Sequence, residues 1–220
     1  MGKQFAVIGL GSFCYYLAVH LYEKGHEVLA IDKKPKPVQE IKDKVSRAVV
    51  ADATDRKALD ALELKEMDAT VVCIGSILSG SILTTLNLKD IGAKRVLAMA
   101  LSEAHGRILD KVGASEVFFP EKDMAIFLGE RIHNPNMLDY LPFVEGYSII
   151  ESAPPKRFAG KSLHELDLIN QYGIQVVAIK ERIPGKVHLI PTARSVIKEN
   201  DILILLGPND SLDKLLDIES

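Results

Sequence analysis

With 220 residues, 47% of them hydrophobic and 26% charged, the chain has a globular composition and room for one large or two small domains. Its formal net charge of −3 excludes nucleic acid as the main partner, since neutralising phosphates takes a clustered basic surface and only Lys33, Lys34 and Lys36 form a dense one. No apolar run approaches the ~18 residues of a membrane span, so any membrane role goes through a partner.

Strand-like sequence starts at Gln4, which reads as a chain with no secretory leader. From there to Pro120, short apolar runs alternate with amphipathic stretches. FAVIG (5–9), EVLAID (27–32), AVVAD (48–52), ATVVCIG (69–75), RVLAMA (95–100) and EVFFP (116–120) read as strands. They are apolar almost throughout, as expected when helices cover both faces of a parallel sheet. Segment 12–25 has helical spacing and a stop at Gly25. Segment 54–67 reads as a helix with Thr54 as its N-cap and an acidic first turn, and 79–92 and 102–113 are helices ending in glycine. The fold class is α/β, a Rossmann-like doubly wound parallel sheet over 1–120.

Residues 121–142 break that rhythm, reading as a helix, an Asn-Pro turn and a short apolar stretch. Met124, Phe127, Leu128, Met137, Leu138 and Leu141 either pack on the protein's own sheet or form a crossover segment that binds a second subunit. Residues 143–220 read as a small α+β C-terminal domain. Its strands are YSIIES, IQVVAIKE, KVHLIP and DILILLG, the second and third joined across Ile183-Pro184-Gly185. Its helices are 162–173, capped by Ser162 and stopped by Gly173, and 209–218, with Asn209 as cap. A domain this small gains from pairing with a copy of itself.

The stretch FAVIGLGSFC carries the chemistry. After a strand, Gly9 permits a tight turn and Gly11 lets the backbone approach a pyrophosphate, while the helix from Ser12 and Phe13 offers its free N–H groups. Asp32, ending the second strand, has the spacing of an acid that accepts hydrogen bonds from an adenosine ribose. It would repel a 2′-phosphate, which disfavours NADP despite Lys33 and Lys34. Asp52, Ala53 and Thr54 end the third strand, and Ile74 and Gly75 the fourth. Both groups face the same crevice, either as ligand contacts or as plain turn geometry. Cys14 stands at the third glycine position. It and Cys73 are distant in sequence and read as reduced intracellular thiols, with a reactive Cys14 the sharper alternative but no partner cysteine in sight. The six histidines show no metal-ligand spacing and no acid/base pair stands at a strand end, so the expectation is binding rather than catalysis.

These motifs, with VVCIGSILSGSILTTLNLKDIGAKRVLAMA, HGRILDKVGASEVFFPEKDMA, LDLINQYGIQVVAIK and KENDILILLGP, resemble the RCK (regulator of potassium conductance) family, in particular the regulatory subunits of Ktr- and Trk-type potassium uptake systems. The resemblance implies a nucleotide-binding N-lobe and a crossover segment for a homodimer. It implies further a C-lobe that pairs again and a homo-octameric ring at the inner face of the cell membrane, beneath a separate membrane potassium channel or transporter subunit. It also implies gating by an adenine nucleotide, ADP or ATP or NAD(H), from a cytoplasmic protein that is not an enzyme. Glu121 matches a position near the phosphates and a divalent cation. Ser12 stands where relatives carry arginine and Met99 where they carry lysine, and these two missing cations weaken the hold on a triphosphate. Two other classes remain open: a small NAD-dependent oxidoreductase, and a cyclic-dinucleotide sensor at a C-lobe seam around Leu168, Ile169, Asn170 and Tyr172.

Overall fold

The computed structural model describes residues 2–75, 78–133, 137–181 and 185–217. The chain divides into two compact units, residues 1–122 and 123–220. In the first, β1 (Gln4–Ile8), α1 (Ser12–Glu23), β2 (Glu27–Asp32), α2 (Pro35–Ile41), β3 (Arg47–Val50) and α3 (Arg56–Asp60) are followed by β4 (Ala69–Val72), α4 (Leu78–Asp90), β5 (Val96–Met99), α5 (Glu103–Lys111) and β6 (Glu116–Phe118). The six strands are parallel in the order β3-β2-β1-β4-β5-β6. That is the doubly wound arrangement, with its switch of direction between β1 and β4. Two apolar layers enclose the sheet. Ile8, Ile31, Val72, Leu88 and Leu109 fill one; Val7, Val28, Val71, Ile41 and Met99 fill the other. Alternate residues of each strand thus face opposite layers, which is why these strands are apolar throughout.

Two elements differ from the sequence reading. The stretch 54–67 is a one-turn helix, α3, and then a 3-10 turn at Leu64–Glu66, with Glu63 left-handed at φ 55°. Leu59, Leu62 and Leu64 are all buried, and the break at Glu63 lets the last of them turn inward. The cap of α3 is Asp55, whose carboxylate accepts from Lys57 N at 2.9 Å; Thr54 is occupied elsewhere, and the first turn is basic. Helix α2 lies where only a lysine patch was read. Pro35 opens it, and Val38 and Ile41 bury one face.

α6 (Pro120–His133) crosses the division between the units, and no residue of it is buried. The Asn-Pro turn after it lies outside the described residues. In the second unit, β7 (Met137–Val144), β8 (Tyr147–Ser152), β9 (Gln175–Glu181), β10 (Val187–Leu189) and β11 (Asp201–Pro208) form an antiparallel sheet, β10-β9-β11-β8-β7. The apolar stretch at the end of 121–142 is therefore a strand of this sheet, and β7 runs across the 142/143 boundary. The turn at Ile183-Pro184 lies outside the described residues. The expected single helix over 162–173 is two, α7 (Leu163–Leu166) and α8 (Leu168–Tyr172), hinged at Asp167 with φ 45° and ψ 42°. Leu166 and Leu168 are both buried, and residues two apart cannot share one face of a continuous helix. Ser162 and Glu165 form a capping box at α7. α9 (Asn209–Asp217) packs Leu212, Leu215 and Leu216 into this unit's core; Asn209 is its first residue and accepts the Ser148 hydroxyl at 2.8 Å.

Candidate functional site

The carboxyl ends of β1, β2, β3 and β4 bring Gly9, Asp32, Asp52 and Ile74 to one edge of the parallel sheet, at the switch point where such sheets bind ligands. Gly9 has φ 89°, and a Cβ there would lie 2.7 Å from the Cys73 carbonyl oxygen. Both backbone conformation and the end of β4 therefore demand glycine. Gly11 differs. Its φ of −63° suits any residue, and a Cβ would meet nothing within 4 Å, so its bare backbone opens on free space. Gly11 caps α1, which has neither a side-chain cap nor an acid in its first turn. The N–H groups and positive dipole end at Ser12 and Phe13 are left for an anion. Phe13 is half exposed, with its ring 5.8 Å from that of Phe118 at the end of β6.

Asp32 braces the turn. One carboxylate oxygen accepts from Leu10 N at 2.7 Å, the other from Lys34 N at 2.8 Å. The first bond holds the glycine turn to β2 and the second shapes the entry to α2. Each oxygen keeps a further lone pair, so a ribose hydroxyl can still donate to it. Lys33 is exposed and lies close enough to Asp52 to favour its ionised form. Asp52 accepts from both the amide and the hydroxyl of Thr54, at 2.9 and 2.7 Å, and these bonds hold its carboxyl below the usual range. Ala53 is buried in the core and its carbonyl accepts the Thr84 hydroxyl at 3.2 Å. Thr54 O accepts from Asn87 Nδ2 at 3.0 Å, so α4 fixes this loop from beneath.

Ile74 and Gly75 are half-buried beyond β4; a Cβ on Gly75 would lie 3.0 Å from Met99 Cε. Met99 is thus a buried neighbour of the site and presents no charge to it. Ser76 lies outside the described residues. Glu121 is exposed in the first turn of α6, past β6 and two strands from β4. No cluster of three His, Cys, Asp or Glu suited to a metal occurs among the described residues. A cation would need phosphate oxygens to complete its shell. In the second unit, Leu168 is buried, Tyr172 packs on the core, Asn170 donates to Asp167 at 2.7 Å and Ile169 is exposed.

Two features escaped the sequence reading. Cys73 lies against Cys14, sulfur to sulfur, with Cα atoms 6.3 Å apart, a separation that a disulfide spans. The fold brings the end of β4 under the start of α1, and a sequence separation of 59 hid that proximity. The second is a buried pair, Ser81 and His105, with Oγ 2.8 Å from Nε2. Leu101 N donates to His105 Nδ1 at 3.3 Å and Ser81 Oγ donates to Leu78 O at 3.0 Å, so the ring carries its proton on Nε2 and donates it to the serine. A histidine in that tautomer cannot take the serine's proton, and burial lowers its pKa further below the ordinary value. The pair is a brace between α4 and α5. Its signal in the sequence was Ser81, Thr84 and Thr85 on the face of a helix that also carries Leu88, small and polar where an apolar stripe is usual.

Residues 5–120 match the TrkA-N domain model and 148–219 the TrkA-C domain model. The chain is 41% identical over 208 residues to the Ktr system potassium uptake protein C of Bacillus subtilis, covering 94% of this chain and 93% of that protein. It is 34% identical over 210 residues to the Ktr system potassium uptake protein A of Vibrio alginolyticus, covering 96% and 94%. A solved structure titled GsuK channel bound to NAD shares the fold at a TM-score of 0.64 and 18% identity, over 98% of this chain and 40% of that one. A chain with both domains in this order, matching such relatives nearly end to end, belongs to the TrkA-N/TrkA-C family of Ktr-type potassium uptake proteins.

Proposed function

We propose that this protein is a non-enzymatic, nucleotide-responsive regulatory subunit of a potassium uptake system, acting at the inner face of the membrane through a membrane-embedded partner. The observation that carries the reading is the uncapped start of α1 beside Gly11, open to solvent at the switch point and braced by Asp32. A diphosphate fits there: its oxygens accept from the first-turn amides while the ribose diol donates to Asp32. With Ser12 and Met99 in place of cations, ADP and NAD(H) bind more tightly than ATP. Glu121 with phosphate oxygens would hold a divalent cation. No helix among the described residues is long and apolar enough to cross a membrane, in keeping with action through a partner.

Assembly is supported by apolar surface. Met124, Leu128 and Ile132 form an exposed stripe along α6, and Leu78, Leu83 and Leu86 point outward from α4. A second copy covering these faces gives the dimer, and repetition gives the octameric ring. A ring with two shapes converts a difference in nucleotide affinity into a shift between them, whereas equal affinity for both would shift nothing.

Calorimetry with ATP, ADP, AMP, NAD and NADH tests the reading, with ADP and NAD(H) expected to bind and Asp32→Ala to weaken every adenosine ligand about tenfold, or ~1.4 kcal/mol. Absence of binding by all five at millimolar concentration would sink it.

A further inference from the structure

The turn contains a cysteine pair that holding a nucleotide does not require. Cys14, in the first turn of α1, and Cys73, one residue past β4, face each other with Cα atoms 6.3 Å apart, a separation a disulfide spans without moving backbone. Cys14 occupies the third position of G-x-G-x-x-G, where glycine ordinarily lets helix and strand close on each other. Here the close approach is made sulfur to sulfur. At the other end, Cys73 N donates to Ile8 O at 2.7 Å, and the Cys73 carbonyl is the group that forces glycine at position 9. A bond between the two sulfurs ties the helix end that faces the phosphates to the strand end that walls the crevice. Both side chains are nearly fully buried, in a layer they share with Leu10 and Met99.

We propose that Cys14 and Cys73 are a reversible thiol–disulfide site that sets the grip of the turn on its nucleotide, a regulation that rests on the nucleotide reading above. The disulfide form binds more tightly, because the tie has already removed freedom from the first turn of α1 that binding must otherwise remove. Oxidation is by exchange with a low-molecular-weight disulfide, R–S–S–R. One cysteine thiolate attacks a sulfur of that disulfide and expels RS⁻; the second attacks the protein sulfur of the mixed disulfide and expels another RS⁻. The cysteines give up two electrons and two protons, and the oxidant leaves as two RSH. A small thiol reverses the sequence. Since both sulfurs are buried, exchange passes through an opening of the turn, which a seated nucleotide slows. By linkage, whatever the disulfide does to nucleotide affinity the nucleotide does to the stability of the disulfide.

The test uses the full chain equilibrated with oxidised or reduced glutathione. Free thiols are counted by alkylation and mass, amide exchange is followed over Ser12–Tyr15, and ADP and NAD are titrated into each form. The oxidised form should show no free thiol, slower exchange in the first turn of α1, and affinity at least ~5-fold higher than the reduced form. Cys73→Ala, or Cys14→Ala should that variant not fold, should bind with one affinity in both buffers; the wild-type comparison depends on neither. Two free thiols in the oxidising buffer overturn the proposal, as does a single affinity for both forms. If neither nucleotide binds while thiol count and amide exchange follow the buffer, the nucleotide reading alone falls and the redox clamp stands.

Discussion

Gly9 and Gly11 share a motif but answer to different constraints, and substitution separates them. Gly9→Ala forces φ 89° on a residue with a Cβ and drives that Cβ into the Cys73 carbonyl, so unfolding in denaturant should show a loss of at least about 2 kcal/mol. Gly11→Ala meets no protein atom, and its stability should stay within about 0.5 kcal/mol of the parent. If the open space belongs to a ligand, the same Gly11→Ala should still lose about tenfold in ADP or NAD affinity, ~1.4 kcal/mol. His105 makes a second residue-scale prediction. Burial lowers its pKa, so the unfolded chain takes up the proton more readily than the folded one. Its contribution is complete above the ordinary histidine value of about 6.5 and is lost as pH falls from there through the folded value. Protonation would also abolish the acceptor that Leu101 N uses. Denaturation at a series of pH values should show this acid-side slope, and His105→Gln should flatten it.

Among the elements, α6 stands out because no residue of it is buried, and α4 because Leu78, Leu83 and Leu86 point outward while only Leu88 of its leucines is buried in the core. On α6 the stripe of Met124, Leu128 and Ile132 lies wholly at the surface, the last of them 71% exposed. Leu128→Asp should therefore leave the melting of the dilute chain nearly unchanged while shifting light-scattering mass toward monomer. An unaltered mass would remove α6 from the interface. On α4 the amphipathic logic is inverted: Ser81, Thr84 and Thr85 face inward and let the helix approach the sheet and the Ala53–Thr54 loop closely. α7 and α8 show the converse, where a left-handed Asp167 lets two leucines that helical periodicity separates reach one core.

At the scale of the whole molecule, each unit carries its own hydrophobic core. Leu203, fully buried in β11, belongs to the second unit alone. Leu203→Ala should cost that unit about 2–5 kcal/mol. Nucleotide affinity should persist at temperatures where the antiparallel sheet has melted, as seen by calorimetry beside circular dichroism.

The succession of strands along the first 120 residues and the glycine turn were legible in the residues because they rest on local physics. A fully buried parallel strand must be apolar on both faces, a tight turn after β1 needs glycine, and an acid at the end of β2 follows at a fixed spacing. The same local reading extended 54–67 and 162–173 as unbroken helices and put the cap at Thr54, since periodicity cannot register where one buried leucine must turn away from the next. Only the tertiary structure decided that Asp32 spends a carboxylate oxygen on Leu10 N, that Ser81 and His105 meet, and that Cys14 finds Cys73. Each of those contacts joins residues more than 20 positions apart, brought together by the winding of the sheet. A spacing rule along the chain carries no term for such contacts, because the sheet that creates them has to form first.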